Sequence, residues 1–343
     1  MKFIKRTSPH VIGGNDVGQI MRQVVYALVP GTLVLIWYFG WGMLSNLLLC
    51  LLFAELLEWG MLKLRQRPVQ PFLSDYSAIV TGWLLAVAMP AFSPWWLILV
   101  AMVFAIVIAK HLYGGLGYNP FNPAMIGYTA MLISYPVQMT IWPAPLDFSF
   151  SHIGLEQMLQ QVFGGGTQGW DAFTAATPLD AVKVNLKMGK TLAEFHGGNA
   201  ALFSGRPWEW VSVAWMAGGL WMLYRRVITW QIPTALLGTL MLMASIFWLI
   251  NPQVYSTPLF HLLGGGAMLG AFFMATDPVS ASTTPTGKLI YAGGIGVFTY
   301  IIRTWGGYPD GVAFSIIIMN TAVPLIDYYT QPRVYGTGRG FPG

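Results

Sequence analysis

The 343 residues are 55% hydrophobic, and only 9% are Asp, Glu, Lys or Arg, where a soluble domain carries about a quarter. With a mean hydropathy of +0.57 and a net charge of +5, the chain is neither disordered nor an ordinary cytosolic enzyme. Its single cysteine, Cys50, excludes an internal disulfide and any Cys-ligated iron–sulfur or zinc site, and reads as apolar filler in a run of leucines.

A spanning helix needs about 20 apolar residues. Ten stretches predict one: Met21–Phe39, Leu44–Leu62, Tyr76–Ala91, Pro94–Leu112 and Pro123–Trp142, then Trp208–Tyr224, Ile232–Ile250, Pro258–Ala275, Lys288–Ile302 and Gly311–Tyr328. The basic segment before the first has no short apolar core with a small-residue cleavage site, so that stretch is expected to stay as a span. Basic residues orient the set. Lys2, Lys5, Arg6, Lys63, Arg65, Arg67, Lys110, Arg225, Arg226, Lys288, Arg333 and Arg339 all fall an even number of spans from the N-terminus. That side is therefore expected to be cytoplasmic. The expected fold is an all-α polytopic membrane protein of ten transmembrane helices. Its parts are a cytoplasmic N-terminus (1–20), a first five-helix repeat (21–142), a periplasmic loop (143–207), a second five-helix repeat (208–328) and a cytoplasmic C-terminus (329–343).

Five is odd, so two related halves would be inverted in the membrane. A weak echo supports the relation. His111-Leu112-Tyr113-Gly114-Gly115 parallels Arg303-Thr304-Trp305-Gly306-Gly307. Two Gly/Pro-rich breaks, Gly114–Pro123 and Thr276–Thr286, carry Asn119, Asn122 and Asp277. Irregular backbone at membrane depth survives where it is buried or lines a cavity. These segments read either as a polar pocket or as plain connecting turns.

Other polar groups have local readings. Glu55 and Glu58 share one face of the second span. Glu58 is expected to meet Lys63 or water, and Glu55 stands open between a cation-path carboxylate and a structural one. Lys110 is expected to snorkel, His261 to pack, and Arg303 to pair with Asp310. Tryptophans at span ends, including Trp37, Trp41, Trp95, Trp142, Trp208 and Trp210, suit interfacial anchors. No nucleotide-binding glycine motif, nucleic-acid patch, metal-ligand set or catalytic triad is recognisable.

The long loop holds Asp171-Ala172-Phe173-Thr174-Ala175-Ala176-Thr177-Pro178-Leu179-Asp180. Thr177 suits an N-cap and Pro178 the first helical position, with Leu179, Val182 and Leu186 on one helical face. The string resembles the acceptor sequence of flavin transferases, which move FMN onto the final threonine through a phosphoester. The chain around it, including Ser74-Asp75-Tyr76 and Gly117-Tyr118-Asn119-Pro120-Phe121-Asn122-Pro123-Ala124, is similar to the D subunits of Rnf (Rsx) electron-transport complexes. It is more distantly similar to the B subunits of the sodium-pumping NADH:quinone reductases. Ala175 departs from the more common glycine.

The resemblance implies covalent FMN on Thr177, with Asp171, Thr174 and Ala176 in the attachment motif. It also implies a second, non-covalent flavin, riboflavin, for which Asn119, Asn122 and Asp277 are candidates. It implies a subunit of an ion-translocating oxidoreductase in a bacterial inner membrane, without catalytic activity of its own. Its partners would be the other subunits, among them a second covalent-FMN carrier, and a flavin transferase for maturation. Electrons would pass between ferredoxin and NAD, coupled to sodium or proton movement. The rival reading is a non-redox ten-helix channel or carrier, in which Thr177 is only a helix cap.

Overall fold

The computed structural model describes residues 17–145, 154–164, 174–195 and 206–332. In chain order the first half holds α1 (Val17–Phe39), α2 (Trp41–Leu64), α3 (Val69–Leu73), α4 (Ser77–Ala88), α5 (Trp95–His111), α6 (Pro123–Ser134) and α7 (Pro136–Thr140). The long loop contributes β1 (Trp142–Pro143), α8 (Leu155–Gly164), β2 (Thr174–Ala175), α9 (Pro178–Lys187) and α10 (Leu192–Phe195). The second half holds α11 (Arg206–Tyr224), α12 (Gln231–Ile250), α13 (Pro258–Leu263), α14 (Ala267–Leu269), α15 (Pro285–Trp305) and α16 (Val312–Thr330). The chain is thus mostly helical, and several helices are apolar, as in a polytopic membrane protein. Among the described residues, four stretches combine at least 18 residues with enough apolarity to cross a bilayer: Val17–Phe39, Val69–Ala88 across its turn, Gln231–Ile250 and Val312–Thr330.

Helix occurs in each of the ten predicted stretches, but several are not continuous. The stretch Tyr76–Ala91 is helical only over Ser77–Ala88, because Met89 is extended before Pro90. The stretch Pro123–Trp142 breaks at Tyr135, ahead of Pro136, and Trp142 is in a strand. The stretch Pro258–Ala275 breaks at Gly264-Gly265-Gly266 and resumes in α14, which runs on as a π-helical turn over Gly270–Met274. The second part of α5, Val103–His111, is also π-helical, with Leu112 N–H reaching back to the Val107 carbonyl at 3.0 Å. Such turns widen a helix and recur at functional sites.

Among the described residues, four helices begin with the same device. Asn122, Thr177, Thr257 and Thr284 each precede a proline at the first helical position and accept a bond from the N–H three residues on. The cap satisfies an orphan donor, and proline costs nothing where no partner exists.

The halves meet along α1 against α11 and α6 against α16. At the first crossing the backbones nearly touch. A Cβ on Gly31 would enter the Trp215 ring, and one on Gly218 would strike the Ala27 carbonyl. Small residues allow this approach where lipid supplies no hydrophobic drive between helices. Within the halves, α2 packs on α4 and α5, while α15 packs on α12 and α16. An extensive apolar core surrounds these crossings and includes Cys50, with polar side chains such as Asn46, Asn122 and Asn320 buried in the same interior.

Candidate functional site: the cleft at Thr177

Thr177 stands where the loop meets the membrane helices. Two residues before it, β2 pairs antiparallel with β1, Trp142 opposite Ala175 and Pro143 opposite Thr174. The pairing fixes the approach of the motif, and α9 fixes its exit. Thr177 is half-buried, and its Oγ1 accepts from Asp180 N at 3.3 Å. Thr174 is half-buried and Ala176 exposed. Asp171 lies outside the described residues.

Helix α9 is held by one face. Leu179 and Val182 are buried, and Lys183 Nζ donates to the carbonyls of Tyr308 at 2.6 Å and Ile302 at 3.2 Å. Those carbonyls belong to the end of α15 and the connection beyond it. Desolvation, with Lys187 nearby, holds the Lys183 ammonium below the usual lysine pKa. Gly265 makes the docking possible. A Cβ there would meet the Leu179 side chain, and would lie 2.9 Å from both Arg303 Nη2 and Asp310 Oδ2.

Thr177 opens on a cleft between the halves. One wall comes from Leu35 of α1, Val87 and Ala88 of α4, and Met125, Tyr128 and Leu132 of α6. The other comes from Trp208, Val211, Ser212 and Trp215 of α11 and the Gly264–Gly266 break, with Pro309 and Asp310 near α16. Trp142 and Trp208 meet edge to face at 5.0 Å, and Phe39 closes the trio at 5.7 and 5.1 Å. Both tryptophans are half-buried parts of the cleft, whereas Trp37, Trp41, Trp95 and Trp210 are exposed. The lining is largely apolar with a few polar groups, the usual build of a cofactor pocket.

Asp310 is the charged group of this lining. It pairs with Arg303 through Nε–Oδ1 at 3.0 Å and Nη2–Oδ2 at 3.2 Å, and accepts N–H bonds from Gly266 at 2.8 Å and Val312 at 3.2 Å. Burial alone would raise its pKa, but the guanidinium and these N–H groups hold it below the usual carboxylate range. Arg303 also donates to the His261 carbonyl. The expected Arg303–Asp310 pair and the packed His261 are both present.

Met274 lines the cleft, and its carbonyl accepts from Asn122 Nδ2 at 2.9 Å. Below it lies a polar knot. Asn122 Oδ1 caps α6 by accepting from Met125 N at 3.2 Å, and buried Asn320 lies 2.7 Å from the Tyr291 hydroxyl. With its amide oriented to match its neighbours, Asn320 accepts from Asn122 N at 3.1 Å and donates to the Ser280 carbonyl at 3.2 Å. Asp277 and Asn119 serve local turns instead. Asp277 Oδ2 accepts from Ser280 N and Oγ at 3.2 and 2.6 Å, and Asn119 Nδ2 donates to the Phe121 carbonyl at 3.0 Å. Of the three candidates, only Asn122 joins the halves.

Two expectations about charge are corrected. Glu58 does not meet Lys63 or water, and Lys110 does not snorkel. Both are buried, with Lys110 Nζ 2.9 Å from Glu58 Oε2 and 2.8 Å from Ser77 Oγ, and His111 Nε2 3.0 Å from the same Glu58 oxygen. The reason is geometric. The π turns at the end of α5 carry Lys110 and His111 inward against α2, where a buried charge must be paired.

The cleft's lining residues were not singled out as such from sequence, because they come from segments far apart in the chain. The Gly264-Gly265-Gly266 run is the one local signal that could have marked it.

The profile of the NQR2, RnfD, RnfE family matches residues 4–336. The chain is 48% identical to the Vibrio cholerae protein named as the D subunit of an ion-translocating oxidoreductase complex, over 98% of this chain and all of that one. It is 48% identical to the Vibrio vulnificus protein of that name, over 98% of this chain, and 45% identical to that of Shigella dysenteriae, over 99%. Both of those are likewise covered in full. A membrane helical fold, a capped threonine at a cleft between two halves, and similarity along nearly the whole chain agree: this chain belongs to the NQR2, RnfD, RnfE family.

Proposed function

We propose that the chain is the flavin-bearing membrane subunit of an Rnf-type ion-translocating oxidoreductase, with FMN esterified through its phosphate to Thr177. The observation that carries this is the position of one hydroxyl. Thr177 is one of three Thr-Pro caps among the described residues, but of these it alone ends a transferase-like string, and it lines a cleft walled in part by Trp142, Trp208 and Trp215. The residues fit the group. Small Ala175 and Ala176 leave room beside the hydroxyl, and the α9 N-terminus presents N–H groups and a positive dipole end to a phosphate.

When bound, FMN supplies one- and two-electron transfer. The chain's own residues do the rest. Thr177 Oγ1 tethers, α9 docked through Lys183 orients, and Trp142 and Trp208 shield the interior from water. The Arg303–Asp310 pair places a compensated charge beside the cavity, so neither ion is left unpaired. The knot around Asn122 and Asn320 offers amide donors and acceptors of the kind that a second flavin, riboflavin, requires.

At the level of the complex, electrons pass between ferredoxin and NAD while an ion crosses the bacterial inner membrane. The partners include another carrier of covalent FMN, and a flavin transferase matures both. Ten spans form two inverted five-helix repeats, with both termini cytoplasmic and residues 143–207 periplasmic. The self-related contacts α1–α11 and α6–α16 support the inverted relation, since an axis between the halves pairs each helix with its own counterpart.

The test is a denaturing gel viewed under ultraviolet light, after co-expression with the transferase. A fluorescent band that vanishes in Thr177→Val supports the reading. A dark wild-type band contradicts it.

A further inference from the structure

Glu55 is the outlying ionisable group of the first half. At 1.5 Å per residue it lies about 21 Å along α2 from Trp41 and about 13 Å from Leu64, well inside a hydrocarbon layer of about 30 Å. Leu48, Leu52 and Trp59 recur with it on one face, and all three are exposed. Glu55 itself is only half-buried. Among the described residues it has no hydrogen bond or ion pair within the chain.

The nearby cations are already engaged. Lys110 is committed to Glu58 and Ser77. Arg65 donates to the His111 carbonyl at 3.0 Å, and Lys63 lies over the Trp59 ring at 4.1 Å. The neighbouring carboxylates, Glu58 and Asp75, repel a further negative charge, and Lys110, which attracts one, is already bonded to Glu58. An ionisable group facing lipid at this depth is costly and calls for a partner. A lipid headgroup does not reach so deep. A second copy docking through the same face would set like carboxylates against each other.

We propose that the Glu55 face of α2 is the docking surface for a membrane helix of a companion subunit. That helix presents a cationic or N–H-donating side chain to the Glu55 carboxylate, and its apolar residues cover Leu48 and Leu52. The inference rests on reading α2 as one of ten spans and the chain as one member of a complex, but not on the flavin.

The experiment is photo-crosslinking in native membranes of the whole complex, with a photoreactive residue in place of Glu55 and a control at exposed Leu249 of α12. Position 55 is expected to link one companion subunit, mapped by mass spectrometry to a membrane segment holding Lys, Arg, Asn or Gln within one turn of the link. Glu55→Lys is expected to reduce co-purification of that companion at least tenfold, while Glu55→Gln, which keeps a polar partner, retains it. Circular dichroism and gel filtration of each purified variant report whether the chain itself has folded. Links to lipid alone or to a second copy overturn the proposal, as does wild-type assembly of Glu55→Lys. If the wild-type chain purifies without companions, the reading as part of a complex fails first and this inference falls with it.

Discussion

At the scale of single residues, substitution separates the cap role of Thr177 from its proposed role as flavin acceptor. Asparagine is as good an N-cap as threonine but offers no hydroxyl for an ester. Thr177→Asn is therefore expected to keep α9 in place and give no fluorescent band. Thr177→Val loses both roles, with about 1 kcal/mol of cap stability. Circular dichroism and gel fluorescence on the pair check this. Unequal labelling of the two variants would contradict it.

Asp310 gives a pH-dependent outcome. Its pKa is lowered in the fold, so its contribution is complete above the unfolded value and lost as pH falls through the folded one. Thermal stability is expected to be insensitive to this pair from neutral pH down to about 5, and to fall below about 4. Asp310→Asn leaves Arg303 buried and unpaired, a loss of roughly 3–5 kcal/mol at pH 7. That gap to wild type should narrow in acid, as melting in detergent at several pH values would show.

The capped threonine was legible from ten consecutive residues because capping is local. The Glu58–Lys110 pair was not, since its members are 52 residues apart and meet only through the π turns of α5.

At the scale of elements, α9 is the part that sets the site. Lys183→Met removes two carbonyl contacts while keeping the length of the side chain. Attachment is expected to persist, because the motif is untouched. The bound flavin should become more accessible to iodide quenching, because α9 is less firmly held. Unchanged quenching would mean that Leu179 and Val182 suffice. Gly265→Ala adds a methyl group against Leu179, Arg303 and Asp310 and is expected to weaken the same docking, with lower thermal stability as well.

Helix positions were readable because apolar runs and capping signals lie in sequence. The breaks were harder. Gly264-Gly265-Gly266 sits inside a run apolar enough to read as one helix, and Pro136 interrupts another near its end. Hydropathy averages over both. The strand pairing of Trp142 with Ala175 could not be read at all, because each strand is two residues long and the partners are more than thirty residues apart.

At the scale of the molecule, two sets of helices meet along α1–α11 and α6–α16, and the cleft lies between them with Thr177 in its lining. That arrangement ties a loop, two half-bundles and a family assignment to one hydroxyl. The charge pattern predicts an orientation from sequence, but the cleft needed the fold. The most direct test is mass spectrometry of the 143–207 loop, from protein co-expressed with a flavin transferase. The account predicts a peptide heavier by one FMN less water, with fragment ions that place the addition on Thr177. An unmodified Thr177 in fully matured complex, or the flavin on another residue, would contradict it.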